Sequence, residues 1–505
     1  MKRNHLKLLM AAFFVCLLHT SCYKDLGNYD YHEINSMDSV TNIKGEYLML
    51  FKDTLRINPK LFPTMDKDVK KRYSFRWEAL VDGVTRIPGD SSLYLVGTGR
   101  NLEYPVALRP AAYDMFYRVK DEETGVEWLY RFKLKVQSAV YTGWLVLCNV
   151  NGMSRLDMIS VLGDSSRVIN DVLSFTNAGI PPQPSPRQIV FAYRSNGDQI
   201  YLNSAAGINR LDGEGLGWKS TYNIRYEMLV PVPVEYKPDY FYNTPKYPGI
   251  DYLIEGDRVY FQNIMYGMKG FGVRINRVDE EKDFFQPAPF IAGGNDAANL
   301  YVLYDKTQRR FVTHNALANN CSSLADGTLF SYKTGRELVF MSNTNYNGGD
   351  IFAIMKDNAG KYYTYCFRVT RNGVAQSYYT EMTDATDIGQ AATFAVSNQL
   401  GYIFYAAGGK LYEYDVFTKK SFVMADLGDK KVSVLKTFDF GFGRFKEPYI
   451  TIGRQLIVGA YDPSQPDDVN GTLYRYNIPA RNEPLVLDKS FTGLGKPADI
   501  AYRER

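Results

Sequence analysis

Leu300-Tyr301-Val302-Leu303-Tyr304-Asp305 and Leu411-Tyr412-Glu413-Tyr414-Asp415 are the stretches on which the fold of this chain turns. Each is a run of large apolar and aromatic residues, too short for a helix, that closes on an aspartate. Aspartate caps turns by accepting nearby backbone N–H groups, so each stretch reads as a strand ending in an Asx turn. The phrase recurs, ending at Asp157, Asp212, Asp357 and Asn477, with a weaker copy at Asp279. Other strands lie between the copies, such as Tyr402-Ile403-Phe404-Tyr405 ahead of the tight turn Gly408-Gly409. The end points stand about 53 residues apart on average, roomy for a four-stranded propeller blade of ~40–50 residues. The step from Asp279 to Asp305 is about 26 residues, too short for a whole blade, so one blade is cut down or that copy is false. The expectation is a β-propeller over residues 139–505, with seven blades favoured and six as the alternative.

Closure gives a second argument. The first copy opens directly on Gly143-Trp144-Leu145-Val146 with no partner strand before it, while Ala498-Asp499-Ile500-Ala501-Tyr502 stands alone after the last copy. A ring removes its sheet edges only when such orphan ends pair. Residues 498–503 are therefore expected to supply the innermost strand of the first blade.

Upstream, residues 35–138 read as a small immunoglobulin-like β-sandwich. Tyr73-Ser74-Phe75-Arg76-Trp77 alternates large and polar residues, and Phe132, Leu134 and Val136 share one face of a later strand. Turn signals separate such runs at Val81-Asp82-Gly83, at Pro88-Gly89-Asp90 and over 121–125, and Trp77 is the expected inward aromatic.

The whole chain has 505 residues, 45% hydrophobic and 23% charged, which is globular composition. Its formal net charge is +4, and three of the positives (Lys2, Arg3, Lys7) lie in the first 21 residues, which hold no acid. Without that segment the balance is near neutral, which gives no long-range attraction for nucleic acid. Forty tyrosines beside 29 phenylalanines favour strands and wet binding surfaces.

The opening, MKRNHLKLLMAAFFVCLLHTSC, has a basic start, an apolar run from Leu8 to Leu18, and small residues before Cys22. This is the layout of a secretory signal. The small residues before a cysteine resemble a bacterial lipobox, although His19 stands where such signals usually carry Leu. The reading is a signal peptide over 1–21, lipid attachment at Cys22, and a polar tether over 22–34. Two or three acyl chains would hold such a protein to a membrane permanently. Cys148, Cys321 and Cys366 remain, so at most one disulfide can form.

The residues directly after the signal, Cys22-Tyr23-Lys24-Asp25-Leu26-Gly27-Asn28-Tyr29-Asp30-Tyr31, resemble the PKD-like family of outer-membrane lipoproteins from Bacteroidota. The resemblance covers the first ~110 residues and, more loosely, the whole chain. It implies a PKD-like sandwich, an outer-membrane, cell-surface location, and work beside a TonB-dependent transporter and its companion lipoprotein in nutrient uptake.

No catalytic motif emerges from the residues. Histidine is restricted to His32 and His314 after the signal, and His32-Glu33 lacks a second ligand four residues on. Gly152-Met153-Ser154-Arg155-Leu156 lacks the last glycine of a nucleophile elbow, and Gly408-Gly409-Lys410-Leu411 lacks the rest of a P-loop. Gly213-Glu214-Gly215-Leu216-Gly217 runs into Trp218 with no helix to receive a phosphate. Residues 343–350 have the spacing of a calcium loop but amides where carboxylates are needed, which favours a hairpin turn. No metal or cofactor is expected. The informative stretch is 235–249, where Tyr236, Tyr240, Tyr242 and Tyr247 sit among three prolines. It reads as an aromatic loop interrupting the blades, its prolines opposing helix and central strand. Together with Trp218 these tyrosines are the candidate ligand-binding residues, suited to glycans, peptides or small aromatic molecules. The expected function is non-catalytic capture of a ligand on the propeller. The alternatives are a carboxylate-based propeller lyase or hydrolase, and an adhesive protein-binding lipoprotein.

Overall fold

The computed structural model describes residues 34–503 apart from 52, 67–71, 84–92, 164, 193, 195–196, 245–248, 295–298, 442–443 and 445. The signal, Cys22, nearly all of the tether and the turn at Pro88-Gly89-Asp90 lie outside the described residues. The chain divides into two compact units, the first ending at Gln137 and the second beginning at Ser138.

In the first unit, the strands Glu46–Leu50, Glu127–Gln137, Ala111–Asp121, Tyr73–Val81 and Tyr94–Gly97 form one sheet in that spatial order. Only the outermost pairing, Glu46–Leu50 with Glu127–Gln137, is parallel. Two short antiparallel pairs cover it: Met37–Thr41 with Lys60–Pro63, and Thr54–Ile57 with Leu102–Pro105. The alternation read from the sequence is what buries Phe132, Leu134 and Val136 while Arg131, Lys133 and Lys135 stay outside. Trp77 is fully buried, stacks on Tyr117 at 4.0 Å, and donates its indole N–H to Gly99 O at 2.8 Å. A buried Trp is stable only with that donor satisfied.

The second unit is a propeller of seven successive antiparallel sheets among the described residues, each of three or four strands. The first sheet joins the two ends of the unit. Lys496–Arg503 lies at its inner edge beside Gly143–Val150, followed by Met153–Leu162 and Ser165–Ile169, with Trp144 opposite Tyr502 and Val146 opposite Ile500. In the other six the innermost strand comes first in sequence: Pro186–Ala192, Tyr240–Asn243, Ala292–Gly293, Glu337–Asn343, Thr393–Val396 and Lys431–Lys436. Apolar clusters fill the gaps between consecutive sheets, as with Ile354, Val396, Tyr405 and Tyr414 between the fifth and sixth.

Two sequence expectations need correction here. The recurring Asx turns are real at Asp212, Asp305, Asp357 and Asp415, whose carboxylates accept backbone N–H groups two to four residues on. They do not mark one position in a repeat, however. Asp305 and Asp357 close the second strand of their sheets, whereas Asp212 and Asp415 close the third. That mixture produces the uneven spacing. Asp157 is no turn residue: it sits inside Met153–Leu162, fully buried, and accepts from Arg155, Asp171 N and Gly495 N. Asp279 lies between sheets and accepts from Ser323 N and Oγ, so its copy is false. The second correction concerns 235–249, which contains the innermost strand Tyr240–Asn243, paired to Ile250–Glu255. Pro238 precedes that run and Pro245 follows it, so every N–H within it is available for the ladder.

Candidate functional site

An innermost propeller strand has one neighbour in its own sheet and leaves its other edge toward the ring axis, where its backbone groups need partners. Here side chains of the adjacent innermost strand supply them. Asp499 accepts from Ile189 N at 2.9 Å, joining the first sheet to the second, and Gln188 accepts from Phe241 N at 3.0 Å, joining second to third. Asn343 Oδ1 accepts from Gly293 N at 3.1 Å, Asn398 Oδ1 from Asn345 N at 2.8 Å, and Thr393 Oγ1 from Leu435 N at 3.3 Å. Ser433 Oγ donates to Pro497 O at 2.7 Å and closes the ring from seventh sheet to first. Two links run past a sheet: Asn343 Nδ2 donates to the Tyr242 hydroxyl at 3.0 Å, from the fifth sheet to the third, and Asn345 Nδ2 donates to Asp439 Oδ1 at 2.9 Å, from beside the fifth to beside the seventh.

Above this belt, at the C-terminal ends of the innermost strands, lie two adjoining cavities of about 200 and 360 Å³. They share Asn243, Lys436, Phe438 and Asp439, and together they draw wall residues from six of the seven sheets and from Phe290 and Ile291, just ahead of the fourth. Phe191, Phe440, Tyr449 and Tyr502 line the smaller; Tyr240, Tyr242, Phe290, Phe340, Phe394 and Asn398 line the larger. The phenylalanine rings meet in two runs. Phe290 meets Phe340 edge-on at 5.8 Å, Phe340 stacks on Phe394 at 6.0 Å, and Phe438 stacks on Phe440 at 5.7 Å.

Lys436, Asp439 and Arg444 bring charge to the wall. Lys436 Nζ lies 2.6 Å from Asp499 and donates to Ile500 O at 2.8 Å. The Arg444 guanidinium lies 5.9 Å from the Phe191 ring centre and 5.3 Å from that of Tyr449, a cation–π arrangement. Behind the wall, Asn243 donates to Asp251, which also takes the buried Arg194 at 2.5 Å and Gln262 at 2.5 Å. Burial raises the phenol pKa of Tyr240 and of Tyr242, reinforced by Asp499 for the first and by Tyr240 for the second. Both therefore stay neutral hydroxyls at physiological pH.

The sequence candidates divide. Tyr240 and Tyr242 line the cavity. Tyr236 does not: it is buried among Tyr201, Phe241 and Leu253 between the second and third sheets. Trp218 is half-buried, donates its indole N–H to Asn209 at 3.1 Å, and lines neither cavity. Tyr247 and Cys22 lie outside the described residues. Sequence reading missed the phenylalanine wall and the amides Asn243, Asn343 and Asn398. The available signal was an aromatic three residues before asparagine, in Tyr240–Asn243 and again in Phe340-Met341-Ser342-Asn343. The calcium-like stretch 343–350 is the turn after an innermost strand, where Asn347 Nδ2 donates to Asp350 at 2.9 Å.

His314 is a satisfied interior side chain. Its Nε2 meets the Ala318 carbonyl at 3.0 Å, so that nitrogen carries the proton and Nδ1 accepts from the Tyr252 hydroxyl at 2.8 Å. Cys148, Cys321 and Cys366 are buried thiols without disulfide partners, each pushed up in pKa by burial. Among the described residues no group of three or more His, Cys, Asp or Glu is placed to hold a metal ion. Nor is any helix there long and apolar enough to cross a membrane.

No curated protein sequence matches the chain. Among solved structures, it is similar to a quinonprotein alcohol dehydrogenase-like protein from Bacteroides thetaiotaomicron, at 12% identity and TM-score 0.43, over 93% of this chain and 99% of that one. It is also similar to the extracellular domain of a one-component system protein from the same species, at 11% identity and TM-score 0.36, over 63% and 38% of the two chains. A DUF4784 family protein from Bacteroides caccae is similar at 8% identity and TM-score 0.34, over 77% and 96%. Residues 22–180 match the model of the PKD-like family, a span that covers the sandwich and runs on through the outer strands of the first propeller sheet. Over that segment the chain is similar to the PKD-like family.

Proposed function

We propose that this protein captures a ligand in the aromatic cavity at the C-terminal ends of its innermost propeller strands. One observation carries the reading: two adjoining cavities gather side chains from around the ring, with flat aromatic faces and the neutral hydrogen-bonding tips of Tyr240, Tyr242, Asn343 and Asn398. A ligand spanning the two cavities touches side chains from around the ring, so binding energy is gathered from a scaffold already tied together by its belt. Carboxyls that burial pushes above the usual range, those of Glu227, Glu255 and Glu413, lie away from the cavity, which favours holding a ligand over cleaving it. In this reading, lipid on Cys22 holds the protein on the outer membrane at the cell surface. Capture there raises ligand concentration beside a TonB-dependent transporter and a companion lipoprotein.

The test is a thermal-shift screen of the purified protein against glycans, peptides, siderophores and cobalamins, repeated with Tyr240→Ala. A ligand-dependent rise in melting temperature that disappears in the variant supports capture at this cavity. A rise of equal size in the variant moves the site elsewhere. Absence of any shift across the four classes sinks the small-ligand reading.

A further inference from the structure

Granted capture in this cavity, the wall chemistry narrows the class of ligand. In the larger cavity an anionic ligand would meet Lys436, already paired with Asp499 at 2.6 Å and bonded to Ile500 O, with the Asp439 carboxylate on the same wall; Arg444 lines the smaller cavity and not this one. A carboxylate entering there would have to displace an internal partner and leave Asp499 uncompensated. An extended peptide that binds by adding a strand needs unpaired backbone groups along a sheet edge. On the innermost strands many of those groups are occupied. Ile189 N, Phe241 N, Gly293 N and Leu435 N donate to side chains of the belt, and Val396 O and Phe438 O accept from Thr437 and Asn398.

What the wall still presents is a run of ring faces, Phe290, Phe340 and Phe394, beside the neutral pair Tyr242 and Asn343. A pyranose ring matches both. Its C–H faces are apolar and flat enough to lie on aromatic rings, and its rim of hydroxyls donates and accepts without charge. The Tyr242–Asn343 hydrogen bond is neutral on both sides, so exchanging it for equivalent bonds to sugar hydroxyls costs little net free energy. Asn343 is held for this by its other end, since Oδ1 accepts from Gly293 N and thereby turns Nδ2 toward Tyr242.

We propose that the cavity takes the end of an uncharged oligosaccharide, with Phe290, Phe340 and Phe394 as the stacking wall. The Tyr242 hydroxyl and the Asn343 amide are the specificity-determining pair that trades its mutual bond for sugar hydroxyls. This rests on the capture reading above.

The experiment is calorimetric titration of the purified protein with three probe sets: uncharged hexasaccharides of glucose, xylose, mannose and N-acetylglucosamine; oligouronates; and uncharged octapeptides. At least one uncharged hexasaccharide should bind saturably, with an affinity that does not change between low and high salt. Tyr242→Phe keeps the ring and removes the hydroxyl, and it should weaken that binding about tenfold, the equivalent of one hydrogen bond. Asn343→Ala should do at least as much, and the unfolding curve of each variant checks that the fold persists. Unchanged affinity in both variants overturns the assigned pair. Binding of oligouronates or octapeptides alone, lost in Tyr240→Ala, overturns the saccharide inference and leaves capture standing. Binding of none of the three sets overturns the saccharide inference, and capture then stands or falls on the siderophore and cobalamin arms of the thermal-shift screen.

Discussion

Lys436 Nζ stands 2.6 Å from the Asp499 carboxylate, and this ion pair crosses the seam between the last innermost strand and the strand that closes the first sheet. Asp499 spends its other oxygen on Ile189 N of the second sheet, so one carboxylate ties three consecutive sheets together. The Lys436 side chain is about one-third exposed and that of Asp499 about one-tenth, so the pair is shielded on one side only.

Removing that carboxylate should loosen the ring where it closes. Asp499→Ala leaves Lys436 without its counter-ion and Ile189 N without its acceptor and is expected to cost about 2–4 kcal/mol of stability in the second unit. Urea denaturation followed by the fluorescence of Trp144, which packs against Tyr502 of the closing strand at 4.8 Å, reads this directly. Asp499→Asn, which keeps an acceptor, should cost less than half as much. Equal losses in the two variants would show that the acceptor is not what matters.

The tyrosines of 235–249 should separate into core and wall. Tyr236 is buried, and its hydroxyl makes no hydrogen bond. Tyr236→Phe should therefore be neutral or stabilising by up to about 1 kcal/mol, while Tyr236→Ala opens a cavity and costs about 3–5 kcal/mol. Tyr240→Ala should cost less stability and impair binding. Stability by denaturation and affinity by calorimetry, measured on the same variants, check the division.

Glu413 gives the second unit an alkaline weakness. It is fully buried on the strand Lys410–Asp415, both carboxyl oxygens lack partners, and burial, with Asp415 nearby, pushes its pKa from 4.5 to about 8. The native state holds this proton more tightly than the unfolded chain, so stability from it is complete below pH 4.5, is lost progressively as pH rises from there through about 8, and changes no further above that. Glu413→Leu should raise the melting temperature most at alkaline pH, by a gain of about 1–3 kcal/mol, and flatten its decline with pH. A variant whose decline keeps the wild-type slope would assign the weakness to another group.

His314 works in the opposite sense. Burial lowers its pKa from 6.5 to about 4, opposed in part by the Ala318 carbonyl. The unfolded chain takes up a proton that the native imidazole refuses, so stability falls as pH drops from 6.5 toward 4. His314→Gln can still donate to Ala318 O and accept from Tyr252, and it cannot titrate. Its melting temperature should depend less steeply on pH over that window than the wild type's, which thermal melts in a buffer series will show.

The legible and illegible parts of this chain divide along one line. Strand content, the alternation that buries Phe132 and Leu134, and the Asx turns at Asp305 and Asp415 depend on a residue and its near neighbours, and each could be read from the amino acids in order. Position within a sheet could not. Asp157 and Asp305 look alike in sequence, yet one lies inside a ladder and the other ends a strand. The stretch 235–249 read as a loop because its prolines are visible and the partner strand Ile250–Glu255 is not.

By itself, then, the sequence determined an all-β chain of sandwich and propeller whose 40 tyrosines and 29 phenylalanines far outnumber its four histidines and five cysteines. It also placed two unpaired ends where a ring would need them. Only the tertiary structure decided which of those aromatics meet. Tyr242 and Asn343 are 101 positions apart and Lys436 and Asp499 are 63 apart, and both pairs exist because sheet registers bring the ends of separate innermost strands to one axis. A register shift of a single residue would turn each of those side chains to the opposite face of its strand. The cavity is therefore a product of strand pairing across the whole ring, which no local pattern encodes.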